Sequence, residues 1–568
     1  MKFPANRQAP SVGQLLSLGV HSSALVPLRR LGFHLAFQSQ VPVLSSVASA
    51  GCKAISSKSK PKSRVRDLLK DDAELRTRLL PVSNKLGCAV AVLTEARVPL
   101  VSQRHCPVVY DQSLLWMTRS ASLEELTVLA DTAGSIHGLG LYNARSRLYR
   151  LRLLWHTSLD GELEEGGLNL RDILVARLQQ AVGWRNTLGL PSPQTNAFRL
   201  VNAEGDRLSG LIVDVYDKHA VVSSNALWVE LHGATILRCL AQVMGRRLEE
   251  LSWRISLDRL NQDGVSKAAL TVLSDLTVLR RFKVSWPAQP EGALTESPEV
   301  HAVFHVQSWS IEDLFPRDLP LAGDQESARA MLPDKVLERL RANPPLHYCQ
   351  PDTPLQVKEN GLLYEFKGIE GQKTGLYCDH RENRLATAAL SAGKTVLDCF
   401  SYCGSFGLNA ARAGAADVVC VDSSETALQL AQKNSQLNEL SHRMTFIKAD
   451  VLTFLRAAVD SHKKWDIVVV DPPKLAPNRR SLRSGLKLYK QLNNLAIQVV
   501  TEGGILVSCS CSSAVAQRPG LLLESILDAK PKWRDLRLFR TSHAAPCHLV
   551  HPEFPESNYL QALFFQVV

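Results

Sequence analysis

The sequence predicts an α/β protein whose C-terminal part is a doubly wound parallel sheet. Two observations predict this class: strand and helix patterns alternate cleanly from residue 394 onward, and the strands end in acidic residues. Four strands end at Asp398, Asp422, Asp450 and Asp471, and a fifth runs through Ile505–Cys509. Because ligands bind at the carboxyl ends of such strands, four aspartates at these ends indicate a binding site.

The first of these strands leads into a glycine-containing turn, in which Gly404 and Gly407 precede a predicted helix over Leu408–Ala413. A glycine turn lets a ligand approach the backbone closely. The Gly-x-Gly-x-x-Gly pattern of nicotinamide-dependent dehydrogenases is missing, which argues against that class. Apolar residues at helical spacing predict a further helix over Ser424–Leu440.

Ahead of this sheet the chain divides into shorter segments. Residues 67–160 contain short mixed elements, with strands predicted at Ala89–Leu93, Gly138–Tyr142 and Leu148–Leu154. Residues 161–260 predict a small α+β domain with helices over Leu168–Trp184 and Leu231–Met244 and strands within Phe198–Tyr216 and at Ala220–Ser224. Residues 261–350 are Pro-rich and irregular, and we interpret them as an insertion or connection. Residues 351–568 hold the parallel sheet.

Length and composition exclude several classes of protein. With 568 residues, 45% of them hydrophobic and 21% charged, the chain is too long for one domain and too apolar to be disordered. No stretch approaches 18 uninterrupted apolar residues, so no membrane partner is expected. None of the 12 cysteines forms a Cys-x-x-Cys pair, so a zinc ribbon is not expected and no metal is predicted.

The net charge of +11 is concentrated at the N-terminus. Residues 1–66 hold ten Lys or Arg and no Asp or Glu, which leaves 56 basic and 55 acidic residues in the rest. The overall charge therefore says nothing about nucleic-acid binding. A Ser- and Arg-containing, acid-free leader is typical of an organelle transit peptide. Its small-residue run favours a chloroplast over a mitochondrion, and a cytoplasmic protein with a disordered tail is the alternative.

The aspartates at the first three strand ends together describe a nucleoside pocket. Asp422 lies 24 positions after Asp398, where a carboxylate can accept both hydroxyls of a ribose, and Asp450 is placed to meet an adenine amino group. With Gly404 in the turn, these residues predict S-adenosylmethionine as the cofactor.

The fourth and fifth strand ends carry the reacting groups. Asp471 is followed by Pro472, Pro473 and Lys474, and two prolines directly after a buried strand stiffen the loop at the reacting centre. The fifth strand ends in Cys509-Ser-Cys511, where a thiol is placed for nucleophilic catalysis. Methylation of carbon 5 of a pyrimidine demands such a thiol, because that carbon becomes nucleophilic only after addition at carbon 6. The alternation of a strand points both cysteines to one face, so the pattern does not choose between them.

At these residues the chain resembles the bacterial 23S rRNA cytosine-5 methyltransferase family that has an N-terminal PUA domain. The similarity runs from about residue 138 to the C-terminus, apart from 260–350. The matching motifs are Arg199-Leu-Val, Glu204-Gly-Asp, Gly210-Leu-Ile-Val-Asp, Lys373-Thr-Gly, Tyr377, Asp379, Arg381, Cys399-Phe-Ser-Tyr, Asp471-Pro-Pro-Lys, Tyr489-Lys, Gly503-Gly-Ile-Leu and Ser510-Cys-Ser.

The resemblance implies a fold and a set of roles. The fold is a class I, Rossmann-like S-adenosylmethionine methyltransferase domain, preceded by a small α+β domain and a PUA-like β-barrel. Cys511 is the implied nucleophile rather than Cys509, Asp471 the residue that hydrogen-bonds the base, and Phe400 a further cofactor residue. The implied substrate-binding residues are Lys373, Arg381, Pro472 and Lys474. RNA, most simply large-subunit rRNA, is the implied partner.

The chain also departs from the family pattern. His380 replaces a Gln after Asp379, Cys403 and Ser405 alter the glycine turn, and Cys547 replaces an Asp before His548. The base that removes the carbon 5 proton is not identified, and the sequence leaves the oligomeric state open, a homodimer included. Two alternatives remain: a methyltransferase acting on guanine or an exocyclic amine through the Asp-Pro-Pro-Lys loop, and a non-catalytic RNA-binding assembly factor.

Overall fold

A seven-stranded sheet forms the C-terminal part of the chain. The structure, a computed structural model, describes residues 73–163, 168–277, 281–285, 298–302, 355–366 and 375–568. In spatial order the strands of this sheet are Met444–Lys448, Asp417–Asp422, Thr395–Cys399, Trp465–Val470, Val500–Ser510, Gln561–Val567 and Leu536–Ser542. The first five are parallel, and the last two pair antiparallel. The predicted doubly wound α/β class is therefore confirmed, and the two antiparallel strands are an addition that the sequence did not reveal.

Helices connect the parallel strands and cover the sheet. They are Arg381–Ala388, Ser405–Arg412, Glu425–Leu437, Val451–Asp460, Leu482–Gln498, Ser513–Ala516 and Leu521–Leu527. The central strands are buried on both faces, as parallel strands between helix layers must be, and Val468, Val469 and Val470 have no exposed area.

The strand order fixes where a ligand can bind. The strand Thr395–Cys399 pairs with Asp417–Asp422 on one side and with Trp465–Val470 on the other, so the chain leaves it in opposite directions. A crevice opens at such a switch point, outside the carboxyl ends of the strands. Asp398 is the last residue but one of its strand, Asp422 is the last residue of its strand, and Asp471 directly follows its strand.

The N-terminal described part contains a mixed six-stranded sheet. Its spatial order is Val108–Tyr110, Tyr149–His156, Ile136–Tyr142, Glu125–Ala130, Ala89–Leu93 and Leu114–Met117, with helices Ala73–Leu86, Val98–Ser102 and Thr157–Asp160. The three predicted strands are all found, one of them with identical bounds. The PUA-like assignment of 67–160 stays a prediction.

The central part corrects one expectation. Its six-stranded sheet has the order Glu299–Ala302, Arg281–Ser285, Glu250–Ile255, His219–Ser224, Leu211–Tyr216 and Ala197–Asn202, with helices Leu170–Thr187, Leu227–Leu231, Gly233–Met244, Leu257–Gln262 and Lys267–Thr277. The interpretation of 261–350 as irregular is wrong for its described part. Lys267–Thr277 is a helix, and the strands Arg281–Ser285 and Glu299–Ala302 extend this sheet. The strand Arg281–Ser285 alternates Phe282 and Val284 inward, a signal only five residues long.

A hairpin joins the two halves of the chain. Its strands are Leu355–Glu359 and Leu362–Phe366. Glu359 is fully buried and receives two hydrogen bonds from Arg384 at 2.8 and 2.7 Å. The Asn438 side chain accepts from the Leu363 backbone N–H and donates to its carbonyl, which docks the hairpin on the neighbouring helix.

The segment 543–560, called the connector below, links the two antiparallel strands and packs against the central part. Arg185 is buried, pairs with both oxygens of Asp206, and donates to the Cys547 carbonyl at 2.5 Å. The Asn202 amide donates to the Leu549 carbonyl at 2.7 Å. A Cβ at Gly205 would lie 1.9 Å from that same carbonyl, so only glycine allows this approach.

Some predictions fall outside the described residues. These are the leader 1–66, Lys373 and residues 303–350. Among the residues that are described, no helix combines the length and the apolar character needed to cross a bilayer.

A buried polar network connects the N-terminal and central parts. Arg152 donates to both oxygens of Asp263 at 2.8 and 2.9 Å, and Asn143 donates to Glu124 at 2.7 Å. Burial and the nearby Asp263 carboxylate raise the pKa of Glu124 to about 8. Glu124 is therefore protonated in the folded chain at neutral pH.

We expect Glu124→Gln to flatten the pH dependence of stability. The folded state binds one proton more than the unfolded state between the ordinary pKa of 4.5 and about 8. Stability from this group is thus present at low pH and falls as pH rises through that window. The variant should match the wild type near pH 5 and melt about 2 °C higher near pH 8.5 in thermal scans. If the melting temperatures of both proteins fell equally between pH 5 and pH 8.5, the prediction would be wrong.

Candidate active site

One large cavity lies over the switch point. Its volume is about 800 Å³, and residues from all three parts of the chain line it. The N-terminal part contributes Tyr149 and Arg152, and the central part contributes Arg254 and Arg259. From the C-terminal sheet come Phe400, Ser401, Tyr402, Asp422, Asp471, Pro472, Lys474 and Cys511. The cavity thus extends from the predicted cofactor end to the predicted nucleophile.

The turn after the strand Thr395–Cys399 has a backbone conformation that lets a ligand approach it closely. Phe400 and Tyr402 have positive φ values of 62° and 49°, which are unusual for residues with a side chain and are found where a site imposes them. Gly404 has a φ of 76°, and a Cβ there would lie 3.0 Å from that of Ala431. Gly404 itself does not line the cavity, so its contribution is to shape the turn.

Asp398 lies beneath this turn rather than in the cavity. It is 1% exposed, and its Oδ2 accepts the Gly407 N–H at 2.9 Å. Burial, with the Asp471 and Asp422 carboxylates nearby, raises the pKa of Asp398 to about 7. The sequence expected a direct cofactor contact, whereas the structure has this carboxylate anchor the turn that carries Phe400 and Tyr402.

Asp422 lines the cavity as predicted. Its oxygens accept the backbone N–H groups of Tyr402 and Ser424, both at 2.9 Å, so the carboxylate is held in a fixed orientation. Each oxygen keeps acceptor capacity for a ribose hydroxyl. Next to it the Ser401 hydroxyl is buried without a hydrogen-bond partner among the described residues, although Ser401 lines the cavity. An unsatisfied hydroxyl at this place suits a polar ligand, and the set fits a nucleoside cofactor.

The structure corrects the predicted position of Asp450. Its side chain is exposed and does not line the cavity. Oδ1 accepts from the backbone N–H and the hydroxyl of Thr453, both at 2.9 Å, which is an N-cap of the helix Val451–Asp460. The sequence predicted this carboxylate beside an adenine, whereas the structure has it outside the cavity lining, at the start of a helix.

The loop after the fourth strand brings its residues to the cavity as predicted. Asp471, Pro472 and Lys474 all line it. Asp471 is partly exposed, with Oδ1 3.3 Å from Nε2 of His380. The Pro472 carbonyl lies 3.8 Å from Sγ of Cys511, so this loop and the end of the fifth strand are in contact.

The structure distinguishes the two cysteines that the sequence could not. The strand ends at Ser510, so Cys511 leaves the sheet, lines the cavity and is partly exposed. Cys509 has no exposed area and packs in the core with Val507 and Ala562, and burial raises its pKa well above the usual range. Of these two cysteines, Cys511 is the one placed to meet a substrate.

Tyr489 holds the segment around Cys511, a role that the sequence analysis missed. Its hydroxyl is 2.9 Å from Oγ of Ser510 and 3.2 Å from Oγ of Ser512, and burial raises its pKa to about 12. Oγ of Ser512 also accepts the Ala476 N–H at 3.1 Å, which ties the fifth strand end to the Asp471 loop. Tyr489 was visible only as a motif residue, since its helix lies far from the strand end in sequence.

Arg381 is a second correction. It is buried, does not line the cavity, and contacts Glu382 at 3.2 Å and Sγ of Cys547 at 3.7 Å. The packing of the connector therefore occupies the guanidinium that was expected to bind substrate. Arg254 and Arg259 of the central part line the cavity instead, and no motif of the sequence marked them.

One group of side chains has the composition of a metal site. The donor atoms of His380, Asp471 and Cys509 all lie within 4.8 Å of one another. However, Nδ1 of His380 lies 3.1 Å from the Asn383 amide nitrogen, which can only donate. The imidazole then carries its proton on Nε2, toward Asp471, and that nitrogen has no lone pair for a metal. This hydrogen-bond arrangement disfavours a metal at these three residues.

Comparison with known proteins supports the same cofactor. Residues 332–564 match the family model described as S-adenosylmethionine-dependent methyltransferase. The predicted cofactor, S-adenosylmethionine, is confirmed by this match, and the matched range includes every predicted cofactor residue.

Two similar curated proteins bear the same name. "Ribosomal RNA large subunit methyltransferase I" of Shewanella frigidimarina is 39% identical over 225 residues, which are 39% of this chain and 56% of that protein. The chain thus spans about half the length of this relative. The protein of the same name from Escherichia coli is 27% identical over 480 residues, 84% of this chain and 99% of that one.

A solved structure shows a similar fold. The crystal structure of SMU.776 complexed with SAH superimposes with a TM-score of 0.58 at 17% identity, covering 84% of this chain and 99% of that one. Together with the family match, this likeness establishes a class I S-adenosylmethionine methyltransferase fold for the C-terminal sheet.

Proposed function

We propose that this chain is an S-adenosylmethionine-dependent RNA methyltransferase that forms 5-methylcytosine, with Cys511 as its nucleophile. The observation that carries the proposal is a partly exposed thiol in the same cavity as Asp471, Asp422 and Phe400. A methyltransferase acting on nitrogen or oxygen needs no thiol there, whereas carbon 5 of a pyrimidine does.

Cys511 makes the carbon nucleophilic. Its thiolate adds to carbon 6 of the ring, which turns carbon 5 into the carbon of an enamine. S-adenosylmethionine, when bound, supplies an electrophilic methyl group that carbon 5 accepts. Loss of the proton from carbon 5 then restores the double bond as the carbon–sulfur bond breaks and the thiolate leaves. A base takes the carbon 5 proton, and the electron pair of the broken methyl–sulfur bond stays with the methyl donor, so that atoms and electrons balance.

Asp471 selects the base in this scheme. A carboxylate oxygen accepts a hydrogen bond, and cytosine presents an exocyclic amine where uracil presents a carbonyl oxygen. The two prolines after Asp471 limit the freedom of the loop, so the carboxylate meets the base with little reorganisation. The same loop contacts Cys511 through the Pro472 carbonyl, which sets the spacing between base recognition and attack.

Large-subunit rRNA is the substrate that we propose, because the relatives carry that substrate in their names. The central part supplies the cavity wall opposite the sheet, with the cationic side chains of Arg254 and Arg259 and the polar side chains of Asn225 and Gln262. Cations on such a wall attract the phosphates that flank the target nucleotide. With the predicted organellar leader, the RNA would be that of an organellar ribosome.

We expect Cys511→Ala to abolish methyl transfer, since it removes the attacking group. Single-turnover transfer of labelled methyl groups to an unmodified large-subunit rRNA transcript should fall by roughly three orders of magnitude or more. Bisulfite sequencing of the transcript identifies the product as 5-methylcytosine. Cys509→Ser is the matched control and should keep most of the activity. Full turnover by Cys511→Ala would favour methylation of guanine or an amine, and no transfer by the wild type would favour the assembly factor.

Tyr489→Phe tests the seating of Cys511. The change removes the hydroxyl that contacts Ser510 and Ser512 and leaves the ring in place. We expect the single-turnover rate to fall about tenfold, with the dissociation constant of S-adenosylmethionine changed by less than about twofold. Unchanged kinetics in the variant would show that these hydroxyl contacts do not position the thiol.

Arg259→Gln tests the proposed RNA wall. The side chain is exposed at the cavity, so its loss should weaken RNA binding about three- to tenfold and lower the slope of log K against log salt by about one. The control is Arg456→Gln, which removes an exposed cation of the helix Val451–Asp460 away from the cavity. If both variants lost the same RNA affinity, the effect of Arg259 would be one of overall charge and not of contact with RNA at the cavity.

A further inference from the structure

His380 lies where it can act on the proposed reaction through Asp471. Its Nε2 is 3.3 Å from Oδ1 of Asp471, and both residues line the cavity. His380 itself is only 4% exposed, so it approaches a substrate less freely than the carboxylate in front of it. Its ring is held edge-on against Phe406, with centroids 5.4 Å apart.

The tautomer of the neutral ring follows from the group behind it. The Asn383 amide nitrogen lies 3.1 Å from Nδ1 of His380 and 3.3 Å from the backbone carbonyl of His543. That carbonyl can only accept, so the amide must turn its nitrogen to this side, and its second hydrogen points at Nδ1. The Asn383 oxygen is buried without a partner among the described residues, so hydrogen bonds on the other side do not hold the amide.

Nδ1 therefore accepts, and Nε2 bears the hydrogen of the neutral imidazole. That nitrogen is the one on the Asp471 side, 3.3 Å from Oδ1, where its N–H restricts the rotation of the carboxylate. Asp471 is then an acceptor toward the cavity. A cytosine amine suits this state, and the carbonyl oxygen of a uracil opposes it.

We propose that His380, oriented by Asn383 and the His543 carbonyl, is a positioning residue that holds Asp471 as a hydrogen-bond acceptor for the exocyclic amine of the target base. The contacts run from the connector, which begins at His543, through Asn383 and His380 to Asp471. The inference rests on the proposed function, because it assigns His380 a part in recognition of cytosine. Its chemistry requires an N–H donor at residue 380 and no proton transfer by the ring.

The experiment compares His380→Gln with His380→Leu. Glutamine keeps a side-chain N–H donor but cannot titrate, whereas leucine keeps bulk and loses the donor. Rates of single-turnover methylation of the large-subunit rRNA transcript are measured from about pH 6 to pH 8, with the affinity for S-adenosylmethionine and the melting temperature as checks on folding. Asp471 and Cys509 face the ring from neighbouring strand ends, and Asp379 and Arg381 flank it in sequence, so all variants keep these titratable groups.

We expect His380→Leu to lower the rate about tenfold or more, with the affinity for S-adenosylmethionine nearly unchanged. His380→Gln should stay within about threefold of the wild type and follow the same pH profile. If His380→Leu does not fold, His380→Asn replaces it, since its shorter amide stops short of Asp471, and the same loss is expected.

Two results would overturn the proposal. A wild-type rate in the variant that lacks the donor would show that Asp471 needs no support. A glutamine variant as slow as the leucine variant, with a limb of the pH profile lost, would make the imidazole a proton-transfer group instead. If the wild type transfers no methyl group to cytosine, the proposed function fails with it, and that outcome is distinct because every protein in the series is then inactive.

Discussion

The buried guanidinium of Arg185 is the interaction on which the site depends. It neutralises Asp206, a second buried charge, and its remaining donors bond the carbonyls of Arg199 and Cys547. Leaving either charge unpaired in the interior costs several kcal/mol, about 3–5 when one partner is removed. The connector is therefore fixed against the central part. Because the central part forms one wall of the cavity and the sheet forms the other, this link sets the width of the cavity.

The residues at the strand ends have two different roles, and their positions along the strands decide which role each has. Parallel strands place their carboxyl ends along one edge, and the switch point opens a crevice there. Groups at the rim, Asp422, Asp471 and Cys511, can contact ligands. The group one position inside the strand, Asp398, is desolvated and bonds the backbone of the turn. A shift of about one position along a strand therefore decides whether a residue contacts ligands or supports the turn.

Hydroxyl and carbonyl contacts hold the chain segment around the Cys511 thiol. Tyr489, Ser510 and Ser512 form a buried hydrogen-bonded group on one side of Cys511, and the Pro472 carbonyl lies on the other. These contacts also join the end of the fifth strand to the Asp471 loop. The nucleophile and the residue proposed to recognise the base are therefore held by the same contacts.

The sequence by itself determined the parallel sheet, the turn after its first strand, and the candidates Asp422, Asp471 and the cysteine pair at the end of the fifth strand, because alternation, strand-end aspartates, the double proline and the Cys-Ser-Cys run are local signals. It could not decide between Cys509 and Cys511, since both lie at the same parity of one strand and only the point where pairing stops separates them. It misplaced Asp450 and Arg381, whose side chains are used by a helix cap and by the connector. Arg254, Arg259 and the Asn383–His380 contact needed the tertiary structure, because their partners are distant in the chain and only packing brings them together.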